Sequence, residues 1–195
     1  VRQLTDIMGI SQPTVSRSIK ALGDEVVRIG SGPSIHYVLR DTHRGFSSAP
    51  VYRITEEGQV KSLGKLIPVY PDGFVMAQTD NVCLHSDGLP WWLFDMRPQG
   101  YLGRAYASRF SSELGLPPNP ENWSDTDVIR ALLAHGHDAV GNLLIGEQAR
   151  NHFVEMPSPV AVDRATAYPS LAQAVSAGEV PGSSAGGEQP KFCTY

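Results

Sequence analysis

The sequence predicts an α+β protein in two parts, a small helical front ending in a hairpin and a larger β-rich region with helices behind it. Three observations carry this expectation. Between residues 2 and 22 apolar side chains recur at three- and four-residue spacing, the helix period. From residue 26 to 85 they fall in short β-branched and aromatic runs broken by Gly, Pro and Asp. Charge is divided: residues 1–53 hold seven Lys/Arg against four acids, and the remainder nine against sixteen, within a net charge of −4. A basic front on an acidic chain suits contact with an anionic partner. The 195 residues suffice for one domain of ordinary size and a small one, and 41% hydrophobic with 18% charged residues fits a folded chain rather than a disordered one.

The front is read first. Leu4, Ile7 and Met8 share one helix face, and Gly9 ends that helix by its freedom to turn left-handed. Ser11 is a natural N-cap, and Pro13 is tolerated in the first turn of the next helix. Val15, Ile19 and Leu22 form that helix's inner face, and Gln12, Thr14, Ser16, Arg17 and Lys20 its outer one. Val26-Val27-Arg28-Ile29 and Ile35 to Leu39 flank Gly30-Ser31-Gly32-Pro33, the pattern of a hairpin. Helix, glycine turn, helix and hairpin resemble the winged helix-turn-helix DNA-binding domains, and GISQPTVSRSIKAL is a characteristic recognition-helix phrase. The alternative is an ordinary helix pair with a solvated polar face. On the DNA reading Gln12, Thr14 and Arg17 reach base edges with Ser16 beside them, and Lys20 and Arg28 contact phosphates. The usual first helix of such domains is missing and the chain opens on Val1, so the sequence reads as a fragment cut at both ends.

Residues 41–50, DTHRGFSSAP, are polar and turn-rich and read as a linker. Strands are expected at Val51 to Ile54, Val60 to Leu66, Gly73 to Gln78 and Val82 to His85. Helices follow at Arg104 to Leu114, closed by Gly115, and at Asp125 to His135, capped by Ser124 or Asp125. Leu143-Leu144-Ile145 and Phe153-Val154 read as buried strands, and Pro169 to Ala177 as a short helix. Trp91, Trp92 and Phe94 read as core or interface packing. The division is then 1–40 for the DNA-binding domain, 41–50 for the linker, 51–156 for a β-rich domain and 157–195 for the start of another. No apolar run nears the roughly 18 residues of a membrane span, no signal peptide opens the chain, and Cys83 and Cys193 lack metal-ligand spacing, so a reduced, cytoplasmic protein is expected. The sequon Asn122-Trp123-Ser124 is read as chance in that setting.

Two stretches invite chemistry. His135-Gly136-His137-Asp138 has a metal-like pattern but no evident third or fourth ligand, and polar residues commonly follow a helix end; it is read as structural, with no metal site. The second stretch is residues 182–192, GSSAGGEQPKF. Its Gly182-Ser183-Ser184-Ala185-Gly186 spells G-x-S-x-G, but a nucleophile elbow needs a strand before and a helix after, and the flanking Pro181, Gly187 and Pro190 suit neither. A Walker loop is excluded because Glu188 stands where Lys should follow Gly187. A phosphate cradle of backbone N–H groups and a plain surface loop remain open.

Three segments resemble the HipA-like serine/threonine protein kinases in that family's order: Leu93 to Arg104 (LFDMRPQGYLGR), Asp138 to Leu143 (DAVGNL) and Ser184 to Lys191 (SAGGEQPK). With the helical front, the chain resembles the YjjJ-type (HipH) branch, which carries a fused winged helix. The resemblance implies a β-rich N-terminal kinase lobe at 51–156, and ATP with Mg²⁺ as cofactors. It implies that the loop Ser184, Ala185, Gly186, Gly187, Glu188, Gln189 and Lys191 covers the ATP phosphates. It also implies autophosphorylation of Ser184, with Ser183 the one-residue alternative, which switches the kinase off. The family's catalytic and Mg²⁺-binding aspartates lie beyond this loop, so no catalytic residue is assigned here and this piece alone is expected to be inactive. Expected partners are double-stranded DNA, a protein substrate and, by analogy with helix-turn-helix proteins, a second copy of the chain, with no membrane. The rival expectation is a transcriptional regulator whose kinase-like part is a sensor or dimerisation scaffold.

Overall fold

The computed structural model describes residues 2–158 and 160–177, with Gly187, Gln189 and Phe192. The described chain is α+β and falls into two compact units, residues 1–49 with 63–90 and residues 50–62 with 91–195.

The first unit opens with α1 (Arg2–Met8) and α2 (Gln12–Leu22). Gly9 ends α1 at φ 63°, its N–H donating to the Thr5 carbonyl, and Ser11 holds the N-cap position of α2 in extended backbone. The inner face of α2 is less covered than its sequence implies. Val15 is buried and Ile19 half-buried, but Leu22 is exposed. Gly23 turns the chain at φ 52° just after Leu22, which borders an open recess with Leu39 and Tyr70. On α1, Ile7 is 82% exposed and Met8 60%, so the apolar stripe read there as a packing face stands open within its unit.

Strands β1 (Val26–Ile29) and β2 (His36–Leu39) pair antiparallel, joined by a turn through Gly32–Ser34. Alternation along β1 buries Val27 and Ile29 and leaves Arg28 exposed. Val27 and Ile29 pack in one cluster with Ile67, Val69 and Val75. Ile67 and Val69 belong to β4 (Val60–Val69), Val75 to β5 (Gly73–Gln78), and β6 (Cys83–Ser86) pairs antiparallel with β5. Gly64 is obligatory in β4: its φ is 146°, and a Cβ would stand 2.1 Å from the Ala77 carbonyl oxygen.

The segment 41–50 is more than a loose connection. Asp41 is 6% exposed and takes 2.8 Å from Arg44 Nε, while Arg44 also donates to the carbonyls of Gly73, Val69 and Pro71. Burial pushes the Asp41 carboxyl up, but the His43 N–H and the Arg44 guanidinium together hold it below the ordinary value. Its last two residues already belong to β3 (Ala49–Ile54).

In the second unit β3 pairs antiparallel with β7 (Leu143–Ile145), Tyr52 opposite Leu144. Helix α3 (Gly100–Leu114) starts four residues before the sequence signals suggest and ends where they place it, on Gly115 at φ 62°. Helix α4 (Asp125–His135) has the expected bounds, and Ser124 and Asp127 complete a reciprocal capping box. Arg97 ties the turn before α3 to the start of α4, donating to the Trp123 carbonyl at 2.6 Å and to Asp125 at 3.2 Å. Phe153 and Val154 do not form a strand. They lie in α5 (Glu147–Glu155), where Ala149, His152 and Phe153 follow the helix period and Val154 is 61% exposed. Trp91 and Phe94 are exposed, so neither is core, whereas Leu93 and Met96 of the same turn are buried. Helix α6 (Arg164–Ser176) is longer than expected, carries Pro169 inside it, and is capped by the Asp163 side chain.

Candidate functional site

The outer face of α2 is the first candidate. With 11 residues the helix is about 16 Å long. Gln12, Ser16, Arg17 and Lys20 are exposed along it, and Thr14 is half-buried with its hydroxyl 2.9 Å from that of Ser11. The Ser11–Thr14 contact fixes the first turn and takes up part of Thr14's hydrogen-bonding capacity. Arg28 is exposed on the outer face of β1, opposite Tyr37. Among the described residues Arg17, Lys20 and Arg28 form no ion pair, and α2 contains no acid. The arrangement is a short helix with a polar face, two cations one turn apart and a neighbouring hairpin.

The glycine-rich loop is the second candidate. Ser183, Ser184, Ala185, Gly186, Glu188 and Lys191 lie outside the described residues. Gly187 is described, and it meets the start of α3. Its carbonyl accepts a hydrogen bond from Tyr101 N at 2.9 Å. A Cβ on Gly100 would come within 2.4 Å of that same oxygen, and Gly100 also has φ +64°. Two independent constraints thus require glycine at 100. Gly103 is a third tight position, since a Cβ there would lie 2.5 Å from the Pro98 carbonyl carbon. The Tyr101 hydroxyl donates to the Val175 carbonyl at 2.6 Å, joining the start of α3 to the end of α6. Phe192 packs edge-on against Tyr168, and Gln189 is exposed. The sequence gave no sign that Gly100 and Gly187 would touch, because 87 residues separate them.

Asp138 to Leu143 runs from a turn after α4 into β7. There the Asn142 carbonyl accepts from Ile54 N at 2.8 Å, extending the β3–β7 pairing. His135 and His137 do not converge on a common ion. Among the described residues no group of three His, Cys, Asp or Glu side chains could hold a metal.

These features define an α+β protein with a two-helix and hairpin front and a body in which a loop glycine is docked on a helix start. A family model described as the middle domain of YjjJ-like toxins matches residues 46–154, and the chain belongs to that family. It is 36% identical over 197 residues to Toxin YjjJ of Escherichia coli (strain K12), an alignment covering 99% of this chain and 44% of that protein. The chain therefore spans less than half the length of that relative. No solved structure matches it. No described helix is long and apolar enough to cross a membrane.

Proposed function

We propose that the chain belongs to an ATP-dependent serine/threonine protein kinase of the HipA-like type, carrying a winged helix-turn-helix DNA-binding domain at residues 1–40. The observation that carries this reading is the hydrogen bond from Tyr101 N to the Gly187 carbonyl. It joins two of the three segments that resemble those kinases, through a contact that only glycine at position 100 permits. In this reading the backbone N–H groups of residues 184–187 hold the ATP phosphates, with Lys191 adding charge. ATP supplies the phosphoryl group. The described residues contain no cluster for Mg²⁺, so neither its ligands nor a catalytic aspartate is placed among them. Phosphorylation of Ser184 adds about −1.5 to −2 charges beside a site built for an anion, and repulsion then displaces the loop. The toxin named in the related protein would act in the cytoplasm by phosphorylating a protein target.

The exposed cations of α2 support the DNA-binding part. Gln12, Thr14, Ser16 and Arg17 face the bases, Lys20 and Arg28 the phosphates, and two copies of the chain would read a pair of half-sites.

The test uses the full-length protein, γ-labelled ATP and mass spectrometry of the loop. The expected result is label on Ser184 that Ser184→Ala removes. No label on any residue, with a mixture of candidate substrates present, would overturn the kinase reading. If DNA binding persisted in that case, the regulator would take its place.

A further inference from the structure

A cavity of about 560 Å³ opens between one face of α3 and the C-terminal ends of α4 and α5. That volume is in the range that encloses a small molecule, about 300–1,000 Å³. Met96, Leu102, Phe110 and Leu132 contribute apolar walls, and three imidazoles stand around them. Each imidazole has a buried ring nitrogen without a hydrogen-bond partner: His135 Nε2, His137 Nδ1 and His152 Nδ1. The nearest charged group to His135 Nε2 is Glu113, at 3.4 Å and too poorly aligned to satisfy it. Folded proteins leave few such atoms, so three around one cavity point to something that pairs with them.

Charge narrows the occupant. Asp138 and Glu155 line the cavity and have no hydrogen-bond or ion-pair partner among the described residues. Arg109 is the only Lys or Arg in the described lining, and its guanidinium lies over the Phe110 ring at 5.1 Å. His135 stacks on Phe110, with centroids 4.0 Å apart and planes 21° apart, and His137 meets His152 edge-on at 5.1 Å. Burial first, then the neighbouring His152 and His135, lower the His137 pKa and keep that ring neutral near pH 7. Two free carboxylates against one stacked guanidinium favour a positive guest, and aromatic and thioether walls favour a flat apolar body.

We infer that this cavity binds a small organic cation, an aromatic amine whose ring enters the apolar walls and whose ammonium points toward Asp138 and Glu155. The lone pairs of the unpartnered imidazole nitrogens accept its N–H groups. A bare metal ion is not the occupant, because no three ligating side chains among the described residues could hold one. The inference is independent of the kinase reading.

Three probes sharing the indole ring test it on the 195-residue chain near neutral pH: tryptamine as cation, 3-methylindole as neutral body and indole-3-propionate as anion. Binding is followed through the histidine ring proton signals in NMR. Tryptamine should shift the signals of His135, His137 and His152 and bind about tenfold tighter than indole-3-propionate. The double variant Asp138→Asn, Glu155→Gln should remove that preference and leave 3-methylindole binding unchanged. Both positions are solvent-exposed, so the variant should fold, which its circular dichroism would verify. Equal or tighter binding of indole-3-propionate would overturn the inference. So would unmoved histidine signals with all three probes up to about 5 mM, where an affinity of about −3 kcal/mol would still be visible.

Discussion

Two helix pairs in this chain carry similar apolar spacing and bury very different amounts of it. In α3 and α4, Leu102, Ala107, Val128, Ile129, Ala131 and Leu132 are buried. In α1 and α2 the buried apolar side chain among the described residues is Val15, while Leu4, Ile7, Met8 and Leu22 are exposed. Their caps differ too: Ser124 makes a full capping box at α4, and Ser11 makes no side-chain cap bond at α2. Periodicity marks a face able to pack, and a second element is needed before burial stabilises it. Stability in this chain is concentrated in α3 and α4, and the free polar surface lies on α2.

The largest expected effect sharpens this contrast directly. Ile129→Ala removes a fully buried side chain and should cost about 3 kcal/mol, whereas Ile7→Ala at an open position should change stability by less than about 0.5 kcal/mol. Thermal unfolding should separate the two by roughly 6–12 °C. Similar melting shifts would mean that α1 is covered in solution, and the contrast would be lost.

Asp41→Asn comes next, because it leaves the Arg44 guanidinium buried with carbonyl partners alone. A loss of about 3 kcal/mol at pH 7 is expected. The sign with pH follows from the lowered Asp41 pKa. Its contribution is complete above the ordinary aspartate value of 3.8 and is lost as pH falls from there through the lower folded-state value. Urea titrations from pH 7 down to about pH 3 should therefore converge for the two proteins. A constant gap would show that the carboxylate charge is not what holds the segment.

Capping gives a smaller difference. Ser124→Ala should cost about 1 kcal/mol, and Ser11→Ala clearly less, since only the first loses a side-chain cap bond. Equal losses would show that Ser11 caps α2 in solution.

The smallest effect on stability comes from Arg17→Ala with Lys20→Ala, both exposed and unpaired among the described residues. The melting temperature should stay within about 1–2 °C. The affinity of the chain for duplex DNA should fall, and the dependence of log affinity on log salt should flatten by about 2. Unchanged DNA binding would remove α2 as the contact face.

Legibility in the sequence followed the range of the interactions. Helix α4 was legible because Ser124, Asp127 and the apolar run lie within a dozen residues. Strands β5 and β7 were legible because short β-branched and apolar runs sit between turn residues. Phe153-Val154 misled because two apolar residues in a row do not distinguish strand from helix, and only Ala149 and His152 on the same face reveal the helical period. The anchoring of 41–50 was hidden because Arg44 finds its carbonyls 25 to 29 residues away.

The sequence by itself determined the α+β class, the turn and start of α2, the hairpin, most strand positions and the uneven charge, since each depends on neighbouring residues and the backbone's local preferences. The tertiary structure decided which apolar faces are covered, that Arg44 clamps its own segment, that Gly187 docks on Gly100, and that His135, His137 and His152 ring one cavity. Each of those depends on atoms distant along the chain, and only the folded backbone sets the distances between them.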